Sequence, residues 1–185
     1  MSVSPPFFTM GIEEVSNIIG KIAGGLKDAC VKCLQDNSDI VILAITEQLY
    51  CGLDGDGNYI APNYDNDPYF DDPENKQWYK KADKYKEWKR GITPPQFGTM
   101  LGLAPRPDNI PNLKITGKFY SEINAQMKQD GLLIDPGTYI GPDIVEKYEK
   151  NGVVLLDLGP TAMRYFNEEY MIPAIKKFFN DCGYR

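Results

Sequence analysis

Residues 112–159 read NLKITGKFYSEINAQMKQDGLLIDPGTYIGPDIVEKYEKNGVVLLDLG, and the punctuation of this stretch decides the fold class. A strand is expected near Leu113 to Phe119, which can continue as a helix through Lys128, and a second strand near Leu132 to Asp135. Gly131 and Pro136-Gly137 separate these pieces, because both residue types favour turns over regular structure. Pro142 suits the first turn of a helix that ends near Lys150, with Gly152 as its stop. Val153 to Leu158 is then either a strand or an apolar turn. It leads into a last helix, about Thr161 to Cys182, which Pro173 should kink or divide. Short strands among helices predict an α+β fold, with helices packed on a small antiparallel sheet.

Upstream, Val15, Ile18, Ile19, Ile22, Leu26, Ala29, Cys30 and Cys33 recur at steps of three and four, so a helix with one buried stripe is expected from Ile12 to Gln35. Gly20 and Gly24, one turn apart, suggest a close helix approach or weak mid-helix stability. Asp36-Asn37-Ser38 breaks this helix. A second runs to about Cys51, apolar all round in its first turns and therefore central, and the two are expected to pack as an antiparallel hairpin. Residues 54–73 read as an acidic, aromatic surface excursion. Glu74 to Arg90 reads as a basic helix with Trp78, Ala82, Tyr85 and Trp88 on one side. Five prolines in residues 91–112 forbid a helix and predict a long extended arm. Residues 1–10, with Pro5-Pro6 and Phe7-Phe8, read as an extended N-terminal tail ahead of a single α+β domain at 11–185.

The 185 residues suit one domain with a real core. A net charge of −6 disfavours generic nucleic-acid binding unless the basic residues gather on one face. Histidine is absent, which removes the most common general base at neutral pH. The four cysteines show no spacing repeat, and no secretory signal pattern precedes them, so synthesis in a reducing cytoplasm is expected. The longest apolar run, Ile40 to Ile45, is far short of the roughly 20 residues of a membrane span, and no membrane partner is expected.

Motifs with chemical content are few. Cys30 and Cys33 form a lone Cys-x-x-Cys on the buried stripe of the first helix, where packing explains them better than a metal or a redox pair. Asp54, Asp56, Asn58 and Asp65 imitate a calcium loop, but Tyr59 stands where that loop needs glycine, and a tight Asp-Gly turn is the better reading. No catalytic, cofactor or metal residues are assigned. Phosphate loops, dinucleotide fingerprints and nucleophile elbows are all missing. A small enzyme using carboxylate chemistry would need a site that nothing here assembles.

Leu113, Thr116-Gly117, Phe119-Tyr120, Leu132 to Asp135, Val145 to Tyr148 and Leu155 to Gly159 stand in an order that resembles small structural virion proteins of tailed phages. The stretch from Glu47 to Ile60, EQLYCGLDGDGNYI, resembles a phrase of such proteins from phages of Bacteroidota, the crAss-like group among them. The resemblance implies a non-enzymatic tail-completion or head-tail connector protein of the virion, made in the bacterial host cytoplasm. Its partners would be itself in a ring and the portal, connector or tail proteins beside it. Apolar groups in segments poorly placed to bury them alone are the expected interface: Phe7, Phe8, Trp78, Tyr85, Trp88, Phe97, Met100 and Leu101. Lys76, Lys80, Lys81, Lys84, Lys86, Lys89 and Arg90, interleaved with aromatics, are the candidate DNA-facing set, for contact with packaged DNA or for a packaging or regulatory role. The competing reading pairs these cations with the acidic Asp65 to Glu74 run.

Overall fold

The computed structural model describes residues 11–96, 99–129 and 131–184, and the expected tail at 1–10 lies outside them. In chain order the helices are α1 (Ile12–Asp36), α2 (Ser38–Tyr50), α3 (Ala82–Ile92), α4 (Lys118–Glu122), α5 (Gly141–Glu149), α6 (Pro160–Phe166) and α7 (Ile172–Asp181). A 3-10 turn covers Pro68–Asp71 and a π turn, Asn167–Met171, joins α6 to α7. Strands β1 (Asn124–Lys128) and β2 (Gly131–Asp135) pair antiparallel, with Asn124 opposite Asp135 and Lys128 opposite Gly131. The fold is therefore α+β, with helices dominating a two-stranded sheet.

The core gathers on α2. Val41, Ile45 and Leu49 from one face of it meet Cys33, Ile60, Phe119, Ile123, Val153, Leu155 and Phe166, all buried. Side chains of this size contribute about 1.5–3 kcal/mol each when fully buried. On another face Ala44 meets Leu101 and Ala162. The expectation of a central second helix holds, because a sequence apolar around its whole circumference can be covered only from several sides.

Gln48 adds a polar tie to this apolar centre. Its side chain is 2 % exposed, its Nε2 donates to the Asp157 carbonyl at 3.1 Å, and its Oε1 accepts from the Gly159 N–H at 2.8 Å. Beside it the Gly55 N–H donates to the Val154 carbonyl at 2.6 Å. The turn after α2 and the Leu155 to Gly159 turn, far apart in sequence, are thus clamped together. Gly159 has no room for a side chain, since an added Cβ would stand 2.7 Å from Gln48 Oε1.

Several sequence expectations are corrected. Leu113 to Phe119 is not a strand: Leu113 and Gly117 take positive φ of 56° and 87°, which no strand accommodates, and α4 begins at Lys118. The basic helix starts at Ala82 rather than Glu74. Before it, the Asn75 carbonyl accepts from Trp78 and Tyr79 N–H, and Lys80 takes a positive φ of 55°. Val153 to Leu158 is the apolar turn, with Val153 and Leu155 buried. The Pro-rich arm lies on its own chain over its described part, where Leu101, Arg106, Ile110 and Asn112 are buried. The Glu47 carboxylate holds it by accepting from the Met100 and Leu101 N–H groups at 3.0 and 2.7 Å.

The partner of α1 is also corrected. It lies along α7, not α2. Cys33 faces Tyr170 and Ala174, Gly25 meets the Phe178 ring, and Ile18 meets Gly183, so the two run antiparallel. The close approach falls at Gly25, where an added Cβ would stand 2.9 Å from the Phe178 ring, whereas Gly20 and Gly24 face open space. The pair forms an arm in which Ile18 and Cys33 are the buried residues and the rest are exposed or half-buried, and the first two turns of α1 run past the end of α7.

Two outcomes follow. Replacing Gln48→Leu strands the buried Gly159 N–H and the Asp157 carbonyl, and should cost about 2–4 kcal/mol in urea unfolding. Gly24→Ala should stabilise by about 0.5–1 kcal/mol through helix propensity, while Gly25→Ala should fall short of that gain because the Phe178 ring must shift.

Candidate assembly surfaces

Six aromatic rings, Tyr64, Tyr69, Phe70, Trp78, Tyr85 and Trp88, form one cluster between the excursion and α3. Tyr85 is its hub: ring centroids of Tyr64, Trp78, Phe70 and Trp88 lie 5.0, 5.1, 5.2 and 5.3 Å from it. Such pairs add about 0.5–1.5 kcal/mol each beyond the area they bury. The stripe of Trp78, Tyr85 and Trp88 is thus half spent inside the chain, with Trp88 still 37 % exposed. What it leaves open is a groove of about 330 Å³, closed on the far side by Leu113, Ile115, Ile144 and Tyr148. Asp67, the buried Lys89 and the exposed Lys147 bring charged groups to a lining that is mostly apolar and aromatic. Burial pushes the phenols of Tyr64, Tyr85 and Tyr148 up, so these walls stay neutral through ordinary pH.

The cations beside the groove are largely engaged. Lys80 pairs with Asp71, Lys86 pairs with Asp65 at 2.5 Å and Asp83 at 2.8 Å, and Arg90 pairs with Asp108. The acidic excursion therefore neutralises two cations of the basic segment, Lys80 and Lys86, and the proline-rich arm a third, Arg90. Lys76, Lys81 and Lys84 are exposed, and Lys81 donates to the Gln77 carbonyl at 3.1 Å. Lys89 is a correction: only 1 % of it is exposed, so it meets no phosphate.

Lys89 instead donates from Nζ to the Lys114 main-chain carbonyl. Close by, the buried Arg106 guanidinium donates to the carbonyls of Pro107 and Thr93, at 3.2 and 3.3 Å, and to that of Ile110. Lys114 Nζ stands over the rings of Tyr50 and Tyr120, 5.0 and 5.5 Å from their centroids. Among the described residues neither Lys89 nor Arg106 has a carboxylate partner. Burial, then the charges of Arg106 and Lys114, push the Lys89 ammonium down to about 7.

Of the remaining interface candidates, Leu101 is buried against Ala44 and Ala162 and is corrected to a core residue; Met100 is half-buried beside it. Phe7, Phe8 and Phe97 lie outside the described residues. Sequence reasoning treated the first helix as one fully covered stripe. In the structure Ile12, Val15 and Ile19 are 87 %, 39 % and 60 % exposed, at steps of three and four along the free end of the arm. The expectation of a complete buried face failed because α7 is shorter than α1.

The calcium-loop imitation is a turn. Asp54 is buried, and its Oδ1 accepts from the N–H groups of Asp56 and Asn58 at 3.0 and 2.8 Å, leaving that oxygen to the backbone rather than to an ion. Cys33 is buried in the core, and burial pushes its thiol up, as it does that of Cys51. Among the described residues no group of three or more carboxylates and thiols could hold a metal ion, and no helix is long and apolar enough to cross a membrane.

The lysine sets a pH dependence whose sign follows from linkage. Between about 7 and the ordinary 10.5 the unfolded chain holds a proton on Lys89 that the folded chain does not, so stability rises with pH. The buried thiols act oppositely from about pH 9, because the unfolded chain releases their protons first. From pH 7 to 8.5 the unfolding free energy from urea titrations should therefore climb, by up to about 1.4 kcal/mol per pH unit, and Lys89→Met should flatten the climb. Comparison with known proteins gave no matching family model, no matching curated protein and no matching solved structure.

Proposed function

We propose that this chain is a non-enzymatic structural subunit of a tailed-phage virion. It assembles with its own copies into a ring at the head-tail junction or upper tail and joins the portal, connector or tail proteins there. The observation that carries the reading is the α1–α7 arm, which holds Ile12, Val15 and Ile19 in the open. Large exposed aliphatic side chains on one helical face mark an interaction surface. An arm that leaves one subunit and lands on the next is a heterologous contact, and such contacts close into rings when the rotation permits. The resemblance of residues 47–60 and 112–159 to phage virion proteins supplies the particle. The clamp between Gln48 and the 157–159 turn supports treating those two stretches as one unit, since they meet in space.

The DNA-contacting reading is weaker on this geometry. Three of its seven cations are paired with carboxylates of the same chain and a fourth is buried.

Native mass spectrometry of the purified chain, alone and with other proteins of the same particle, tests the proposal. Discrete rings, or a monomer that joins a complex only when its neighbour is added, are expected. The triple substitution Ile12→Ser, Val15→Ser and Ile19→Ser should abolish the assembly with little change in unfolding midpoint, because these side chains are already exposed. A monomer indifferent to every virion protein, with DNA binding that falls steeply with salt, would overturn the reading in favour of a DNA-contacting factor.

A further inference from the structure

Resting on the reading of this chain as a ring subunit, we propose that the aromatic groove beside α3 receives the Ser4-Pro5-Pro6-Phe7-Phe8 segment of a neighbouring copy. The groove is an apolar slot walled by Trp78, Tyr85, Trp88 and Tyr148. Grooves lined in this way recognise proline-rich chain, because successive prolines fix φ and dock a preformed polyproline II segment with little entropy left to lose. Its volume of about 330 Å³ is at the small end of ligand sites, and suits a few side chains rather than a folded element.

The occupant follows from what the chain carries and where. Residues 1–10, MSVSPPFFTM, hold no charged side chain, and Pro5-Pro6 followed by Phe7-Phe8 joins a polyproline signature to two rings. The proline-rich stretch at 99–112 is not a rival occupant, because it is bound to its own body through Glu47, Arg106 and Leu101. A segment without charged side chains loses no ion hydration of its own on entering this mostly apolar slot. Phe8 can then stack on the tilted faces of Trp78 and Trp88, whose centroids are 5.2 Å apart.

Reach selects a neighbouring copy. The segment is tethered at Gly11, at the free end of the arm, and Phe8 lies no more than about 10 Å from that point. From Gly11 back to Cys33, where α1 enters the core, is about 33 Å along the helix. No residue of α1 or α7 lines the groove, which belongs to the body. Arm and groove share no residue, and an arm that reaches across a ring brings the segment it carries to the body of the next subunit. The exposed stripe of Ile12, Val15 and Ile19 is the part of the arm that lands first.

The chain's two tryptophans, Trp78 and Trp88, both line the groove, so intrinsic emission reads its occupancy directly. Emission, acrylamide quenching and native mass are measured together on the full chain over a concentration series, alongside the Phe7→Ser, Phe8→Ser double variant. As rings form, wild-type emission should shift to the blue and quenching should fall by about half, as expected of rings moved into a water-excluding contact. The double variant should show neither change. A synthetic peptide of residues 1–10 should restore both in the variant, saturably. Rings with the same emission and quenching in wild type and variant, and no response to the peptide, would overturn the groove assignment while leaving the ring reading standing. A difference between wild type and variant that does not vary with concentration, in chains that stay monomeric, would show a tail in its own groove. That would overturn delivery between copies and the ring reading with it.

Discussion

The irregular half of this fold depends on one short run of side chains at the end of α2. Main chain outside helices and strands must find partners for its N–H and C=O groups, and buried loops seldom can. Here Glu47, Gln48 and Tyr50 supply them to three different segments: the carboxylate to Met100 and Leu101, the amide to Asp157 and Gly159, and the phenol to the Pro94 carbonyl at 2.8 Å. Because consecutive helical residues point about 100° apart, a single turn of α2 addresses three sides of the body. The apolar positions Ala44, Ile45 and Leu49 sit between these ties at 0 % exposure, so the hydrogen bonds work where water does not compete.

The charged surface follows the same economy. Long basic side chains on α3 turn back toward the excursion and the proline segment, so that chain of opposite sign covers them. Exposed pairs of this kind add little to stability, about 0–1 kcal/mol each. Their larger effect is to hold the excursion against α3, and so to fix the wall of the aromatic groove. Lys89 and Arg106 lie beneath, paired with carbonyls alone, and tie the proline segment to the helix from inside.

How much of this was legible in the sequence depends on the range of the signal. The α+β class, the central second helix, Pro142 and Gly152 bounding α5, and the break before Pro173 were local readings of period and turn chemistry, and they hold. The basic helix was read eight residues too early, because Lys80 adopts a left-handed backbone that no propensity scale anticipates in lysine. The strand expected at Leu113 does not form for the same reason, a left-handed backbone at a residue other than glycine. The partner of α1 could not be read at all, since a periodic stripe shows that a helix has a face but not what covers it. The groove was half legible. Trp78, Tyr85 and Trp88 announced a stripe, but Tyr148 reaches it from α5 and Ile115 from a loop, contacts that exist only once the chain has closed. Lys89 shared the helix of the cations, and nothing local distinguished it as the one turned inward.

The π turn at Asn167–Met171 ends where the Ile172 N–H reaches back five residues to the Asn167 carbonyl, one residue before Pro173, which has no N–H to offer. An extra residue in a helical turn offsets everything beyond it by roughly 100° relative to regular spacing. Phe178, which meets Gly25, lies beyond that offset and takes its direction from it. The arm is therefore sensitive to length rather than to composition. Trimming one residue from 167–171 would swing the Phe178 ring off the first helix, whereas many exchanges of one exposed side chain for another in the same span would leave the contact intact. Over evolutionary time this junction should tolerate changes of residue and resist insertions and deletions.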